Sequence, residues 1–318
     1  MVFKRLLGAL GVGGPSVDTV LSTPTVRPGG QVLGRVELVG GGRDADIAGI
    51  TLHLVARVEV EHDDQEGTAL APFATAVVAG PLTLRAEERR SVEFSLPVPY
   101  EAPVTAIAGQ PLHGMTVGVL TEVDVDGGRD KSDADALTIE PLPLQQQVLD
   151  AFTAAGFRFR RADLESGYIR GTGQTLPFYQ EIEFAAAPQY AHACSEVELT
   201  FLSKPFQTEV VLEVDRRSGG FGHGGDVINR HVLDETAARK DLAATVDEWM
   251  RQALQRHTAH DGSHHYGSHH QDGDHRSGPG MGAVVGGAVA GAAVGFVGGM
   301  IVDEVVDEVV DEFFDDED

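Results

Sequence analysis

The chain has a single cysteine, Cys194, and a single tryptophan, Trp249, among 318 residues. One thiol excludes an internal disulfide framework and a four-cysteine zinc site, and it suits a reducing compartment. Basic side chains are scarce, with 24 Lys and Arg against 49 Asp and Glu and a formal charge of −25. Nucleic-acid binders neutralise phosphates with clustered cations, so that class of partner is not expected. Ten of the acids lie between Asp303 and Asp318, so the remainder, −25 less −10, still carries −15. Such a body suits the cytoplasm and basic protein partners. A secretory leader is also not expected. The opening "MVFKRLLGALGVGG" sets Lys4 and Arg5 before an apolar stretch from Leu6 to Val12. That stretch is short and has no small-x-small cleavage signal after it, so we expect a short amphipathic element that packs on the body. Helical periodicity is weak before residue 142, and neither G-x-S-x-G nor G-x-x-x-x-G-K-[ST] occurs.

What the chain does contain is strand material. Residues 15–141 alternate short extended segments with turns, the pattern of a β-sandwich. In "ITLHLVARVEVE" the apolar Ile50, Leu52, Leu54, Ala56, Val58 and Val60 alternate with polar neighbours, and only Val55 breaks the outward set. A period of two places one face on a core and the other in water. In "PLPLQQQVLDAFTAAGF", Leu144, Val148, Leu149 and Phe152 follow the spacing of a short amphipathic helix. "QEIEFAA", "SEVELTFL" and "TEVVLEVDRR" then open a second strand-rich stretch. A final helix is predicted by the stripe Leu242, Val246, Trp249, Met250 and Ala253, with Asp241 as its cap.

Several ordered segments resemble the bacterial sporulation-control proteins with an arrestin-like fold. They are "FKRLLGALGVGGPSVDTVL", "TEVDVDGGRDKSDADALTIEPLPLQQQVLDAFTAAGFRF", "QEIEF", "VVLEVDRR" before a Gly-rich turn, and "VDEWMRQAL". The resemblance covers about residues 1–255. It implies a mainly β fold of two consecutive arrestin-like antiparallel β-sandwiches with a short linking helix and a C-terminal helix. It further implies a regulatory or scaffolding role in developmental or stress control through protein partners, with no catalytic residue and no cofactor. The expected division is 1–141 for the first sandwich, 142–256 for the second with its final helix, 257–280 for a His/Gly-rich linker, 281–302 for a glycine-rich apolar segment and 303–318 for an acidic amphipathic tail.

Each motif that could carry chemistry has a plainer structural reading. Cys194 lies two residues from His192, a spacing that strand neighbours share routinely, so a structural thiol is expected. The glycines of "ELVGGGRDAD" and "SGGFGHGGDV" lack a phosphate-loop lysine and hydroxyl and read as turns. Asp124, Asp126, Asp130, Asp133 and Asp135 fall within twelve residues, but as a calcium loop the fifth position is Gly128, the sixth Arg129 and the twelfth an Asp. That departs from the EF-hand pattern and reads as a strand-to-strand turn. The His tract is the strongest metal motif, with His264, His265, His269 and His270 as candidate ligands for zinc, nickel or copper. Metal buffering through this tract is one alternative function. An enzyme whose residues are gathered from distant strands is another.

The tail supplies a candidate for association. Met281 to Val302 is uncharged over 22 residues, which as a helix would span about 33 Å and match a bilayer core of roughly 30 Å. Gly287, Gly291, Gly295 and Gly299 recur every four residues along one strip, where helix backbones can approach closely. We therefore expect membrane association or self-association through residues 281–302. Arg251, Arg256 and Arg276 would keep the body cytoplasmic.

Overall fold

Strands whose apolar residues recur every second position must bury one face, and in the computed structural model they do so in two consecutive units. The structure describes residues 14–62, 65–216, 228–234, 236–237 and 241–261. In the first unit β1 (Ser16–Leu21), β3 (Gln31–Val39) and β7 (Arg89–Pro97) form a three-stranded antiparallel sheet in the order β1-β3-β7. Against it stands the start of a ten-stranded sheet containing β4 (Ala45–His62), β5 (Gln65–Ala79), β6 (Leu82–Leu84), β10 (Val117–Val125) and β11 (Lys131–Ala136). The short β2 (Thr25–Val26) and β12 (Thr138–Ile139) pair in parallel, and β8 (Ala106–Ile107) pairs with β9 (Gln110–Pro111).

The alternation in β4 holds, since Ile50, Leu52, Leu54, Ala56 and Val58 are all buried, and Val55 is buried from the other side. The Val60 side chain lies outside the described residues. Packed against these residues in one core are Val32, Val36 and Leu96 of the three-stranded sheet. The chain enters β3 through a turn at Gly29, where φ is +78° and a Cβ would lie 2.4 Å from the Tyr100 ring. Only glycine fits such a left-handed position against an aromatic ring. At the seam between the sheets, Thr19 of β1 donates its N–H to Asp133 of β11 at 2.5 Å, and the hydroxyls of Thr19 and Thr121 share a hydrogen bond of 2.7 Å.

The link to the second unit is helix α1 (Pro143–Ala154). Pro143 occupies the first helical position, where no N–H is needed, and Gln145 accepts the Leu142 N–H at 2.7 Å. Val148, Leu149 and Phe152 are buried as their spacing predicts, whereas Leu144 is only partly covered. β13 (Arg158–Ser166), β14 (Phe178–Ala185), β15 (Cys194–Lys204), β16 (Gln207–Arg216) and β17 (Asn229–Asp234) then continue the large sheet as antiparallel neighbours. Ring contacts join Phe152 to Phe157 at 5.1 Å and to Phe184 at 5.5 Å. Helix α2 (Leu242–Asp261) closes it, burying Leu242, Val246, Trp249, Met250 and Ala253. Asp241 caps that helix by accepting the N–H groups of Ala243 and Ala244 at 3.1 and 3.3 Å. The helix continues to Asp261, past the change of composition at His257.

The two units share one sheet and one core. β4 is long enough to pair with β10 as far as Ala56 and then to meet β13, in parallel, at the single pair Glu59 and Glu165. Phe73 of β5 meets Phe178 of β14 edge to face at 5.8 Å. Gln180 exchanges two hydrogen bonds with the Val104 backbone at 3.0 and 2.8 Å. Glu101 accepts from Thr175 and Leu176. No helix among the described residues is long and apolar enough to cross a membrane. The N-terminal stretch Leu6–Val12 and the tail from residue 262 onward lie outside the described residues.

Candidate functional site

The second unit turns the outer face of its sheet into a field of carboxylates. Along β14, Ile182 and Phe184 point to the core, so Tyr179, Glu181 and Glu183 share the other face. The same alternation sends Asp163 and Glu165 outward from β13, Glu196 and Glu198 from β15, and Glu209 and Glu213 from β16. Register then stacks the acids in rows. Asp163 lies opposite Glu181, Glu183 opposite Glu198, and Glu198 opposite Glu213, while Glu165 meets Glu59 across the joint between the units. Like charges directly opposite one another oppose strand pairing.

Arginines offset part of that repulsion. Arg161 reaches Glu183 at 2.5 Å and Asp163 at 3.3 Å, Arg160 pairs with Glu196, and Arg230 pairs with Glu209. The remaining charge shows in the protonation of the carboxyls. Burial, followed by the charges of Glu198 and Asp163, pushes Glu181 up to about 8. Burial followed by Glu213 and Glu183 takes Glu198 to about 7. Asp163 rises to about 6 because burial outweighs the opposing pull of Arg161. Tyr179 is also pushed up, first by burial and then by Glu181. Carboxyls poised near neutral pH can carry protons or hold cations, which makes this face the candidate site. It opens on a cleft of about 230 Å³ lined by Tyr168, Arg170, Tyr179, Glu181, Glu198 and Glu213. At the far side of the sheet β17 ends the strand order, with Val232 61% exposed and Phe206 of the β15–β16 turn 80% exposed.

The motifs singled out in the sequence fall elsewhere. His264, His265, His269 and His270, and likewise Gly287, Gly291, Gly295 and Gly299, lie outside the described residues. The aspartates from Asp124 to Asp135 straddle the β10–β11 hairpin, in which Asp130 accepts the Val125 N–H at 2.8 Å. Asp133 and Asp135 point instead to the seam with β1, where burial pushes them up to about 6 and about 7. Cys194 is buried, its thiol raised first by burial and then by Asp215, while His192 is exposed. The acid rows were missed in the sequence. Their signal was present, since "QEIEF", "SEVELTF" and "TEVVLEV" each set Glu at alternate positions, but the register that stacks them is a tertiary fact.

A mainly β chain of two consecutive units, joined through one sheet and closed by two helices, has the architecture of an arrestin-like double β-sandwich. The family model described as "SpoOM protein" matches residues 3–218, and the chain belongs to that family. It is 35% identical over 220 residues to the sporulation-control protein spo0M of Bacillus subtilis, covering 69% of this chain and 82% of that one. The crystal structure of Spo0M from Bacillus subtilis superposes with a TM-score of 0.68 at 30% identity, covering 76% of this chain and all of the other.

Proposed function

We propose that this chain is a non-enzymatic regulatory or scaffolding protein of the sporulation-control type, acting through protein contact in developmental or stress control. The observation that carries the reading is the end of the large sheet. Among the described residues β17 pairs with β16 alone, and its exposed Val232 lies opposite Glu209. An extended segment of another protein can add there as a further strand, using main-chain hydrogen bonds for affinity and alternate side chains for specificity. The occupant that fits is a strand with Lys or Arg at every second position, because the face it would continue is acidic and the chain carries −25 overall. Residues 281–302, uncharged and regularly spaced in glycine, add a tether through membrane association or self-association.

The test is a photo-reactive residue placed at position 232 in the full chain, with one at the exposed Val77 of β5 as control. Adducts with one protein from position 232 and not from 77, reduced about tenfold by a neighbouring Phe206→Asp change, support the reading. The same adducts at both positions, or none at either, would sink it.

A further inference from the structure

We propose that Asp163, Glu165 and Glu181 form a site for a hard divalent cation of the calcium type. Three observations converge on it. The first is geometric, since one carboxylate oxygen from each of the three residues lies within 4.8 Å of the others. A calcium shell with oxygens at about 2.3–2.6 Å spans roughly 5 Å across, so one ion can reach all three donors. The second is the state of Asp163. It is only 8% exposed, and neither of its carboxylate oxygens accepts a hydrogen bond. Among the described residues its ion-pair partner is Arg161, 3.3 Å from Oδ2, an arginine whose closer contact is with Glu183 at 2.5 Å. A carboxylate buried to that degree normally has its lone pairs satisfied, and an ion shared with Glu165 and Glu181 satisfies Oδ1.

The third observation is selection between neighbouring clusters. Glu183, Glu196 and Glu198 also bring oxygens within 4.8 Å, but Arg161 and Arg160 already neutralise two of those acids. At the first cluster Arg161 reaches Asp163 only at the longer 3.3 Å, the register adds Glu59 beside Glu165, and among the described residues no arginine pairs with Glu181. The cleft lined by Tyr179 and Glu181 opens the Glu181 end of the cluster to solvent. An all-oxygen donor set favours calcium, magnesium or manganese over zinc or copper. Flexible carboxylates on two adjacent strands suit the larger, less demanding calcium ion. The ion would bridge β13 to β14 directly beside the pair that joins the two units. This inference is independent of the partner strand proposed at β17.

Calorimetric titration of the full chain with calcium chloride at pH 8, in a constant background of sodium chloride, tests it. The expected result is one saturable site with a dissociation constant on the order of 10⁻⁴ M, accompanied by a raised melting temperature. Asp163→Asn and Glu181→Gln should each weaken the site at least about tenfold, since even outer contacts of a metal ligand are worth that much. Glu213→Gln, on the same face but outside the cluster, should leave it unchanged. If Asp163→Asn fails to fold, Glu181→Gln alone carries the comparison. Binding that does not saturate by about 10 mM calcium, ten times the weakest calcium modules, would overturn the proposal. So would a loss in Glu213→Gln equal to that in Glu181→Gln, because that would mark a diffuse ion atmosphere.

Discussion

Asp135 and Asp133 show how single buried carboxyls contribute to the pH response of the molecule. Both carboxyls are raised in the folded state, mainly by burial at the seam between β1 and β11, to about 7 and about 6 against an ordinary value of 3.8. The folded protein therefore holds protons that the unfolded chain has released between about pH 4 and pH 7, and stability falls as pH rises through that window. Asp135→Asn should raise the melting temperature at pH 8, by about 2–4 °C, and leave it nearly unchanged at pH 4. Melting curves at the two pH values check this, and an equal gain at both would show that charge is not the cause. Phe152 is the opposite kind of residue. Fully buried and in ring contact with both Phe157 and Phe184, it should cost about 3–5 kcal/mol as Phe152→Ala, measured by urea unfolding.

At the level of elements, α2 carries the clearest prediction. Asp241 satisfies two N–H groups at its start, so Asp241→Ala should destabilise the protein by about 1 kcal/mol, and Asp241→Ser should restore most of it. Both the stripe and the cap of α2 were legible in the sequence, because helix signals are local in the chain. So was the buried side of β4. Gln145 was not: its amide is buried, capping Leu142 on one side and donating to Ser203 at 3.1 Å on the other, a partnership set by a residue far along the chain. The acid rows belong with it. Each strand announced its own alternation, but whether Glu183 meets Glu198 or a gap depends on register, and register is settled only when the strands pair. The passage of β4 into β13 through one residue pair was likewise beyond any local pattern.

At the scale of the whole molecule, the shared core predicts shared unfolding. Phe73 against Phe178, Gln180 on Val104 and Glu101 on Thr175 tie the units together, and their buried residues form one cluster. Calorimetry on residues 1–261 should give a single transition whose van't Hoff and calorimetric enthalpies agree. Two resolved transitions would show that the units are energetically separate. The described core reaches no further than Ala253, with Leu254 packed at its margin, so this shortened chain should melt within about 2 °C of the full one.

The packing of α2 against α1 has a mechanical consequence. α1 is the segment that passes from the first unit to the second, and α2 is the segment from which residues 262–318 depart. Any load that those residues take up, from a surface or from another copy, enters the protein at the coupling between its halves and not at a free rim. Tension on the C-terminus would be felt first along the segment where α1 passes from one unit to the other, which makes that end of the chain a handle on their connection.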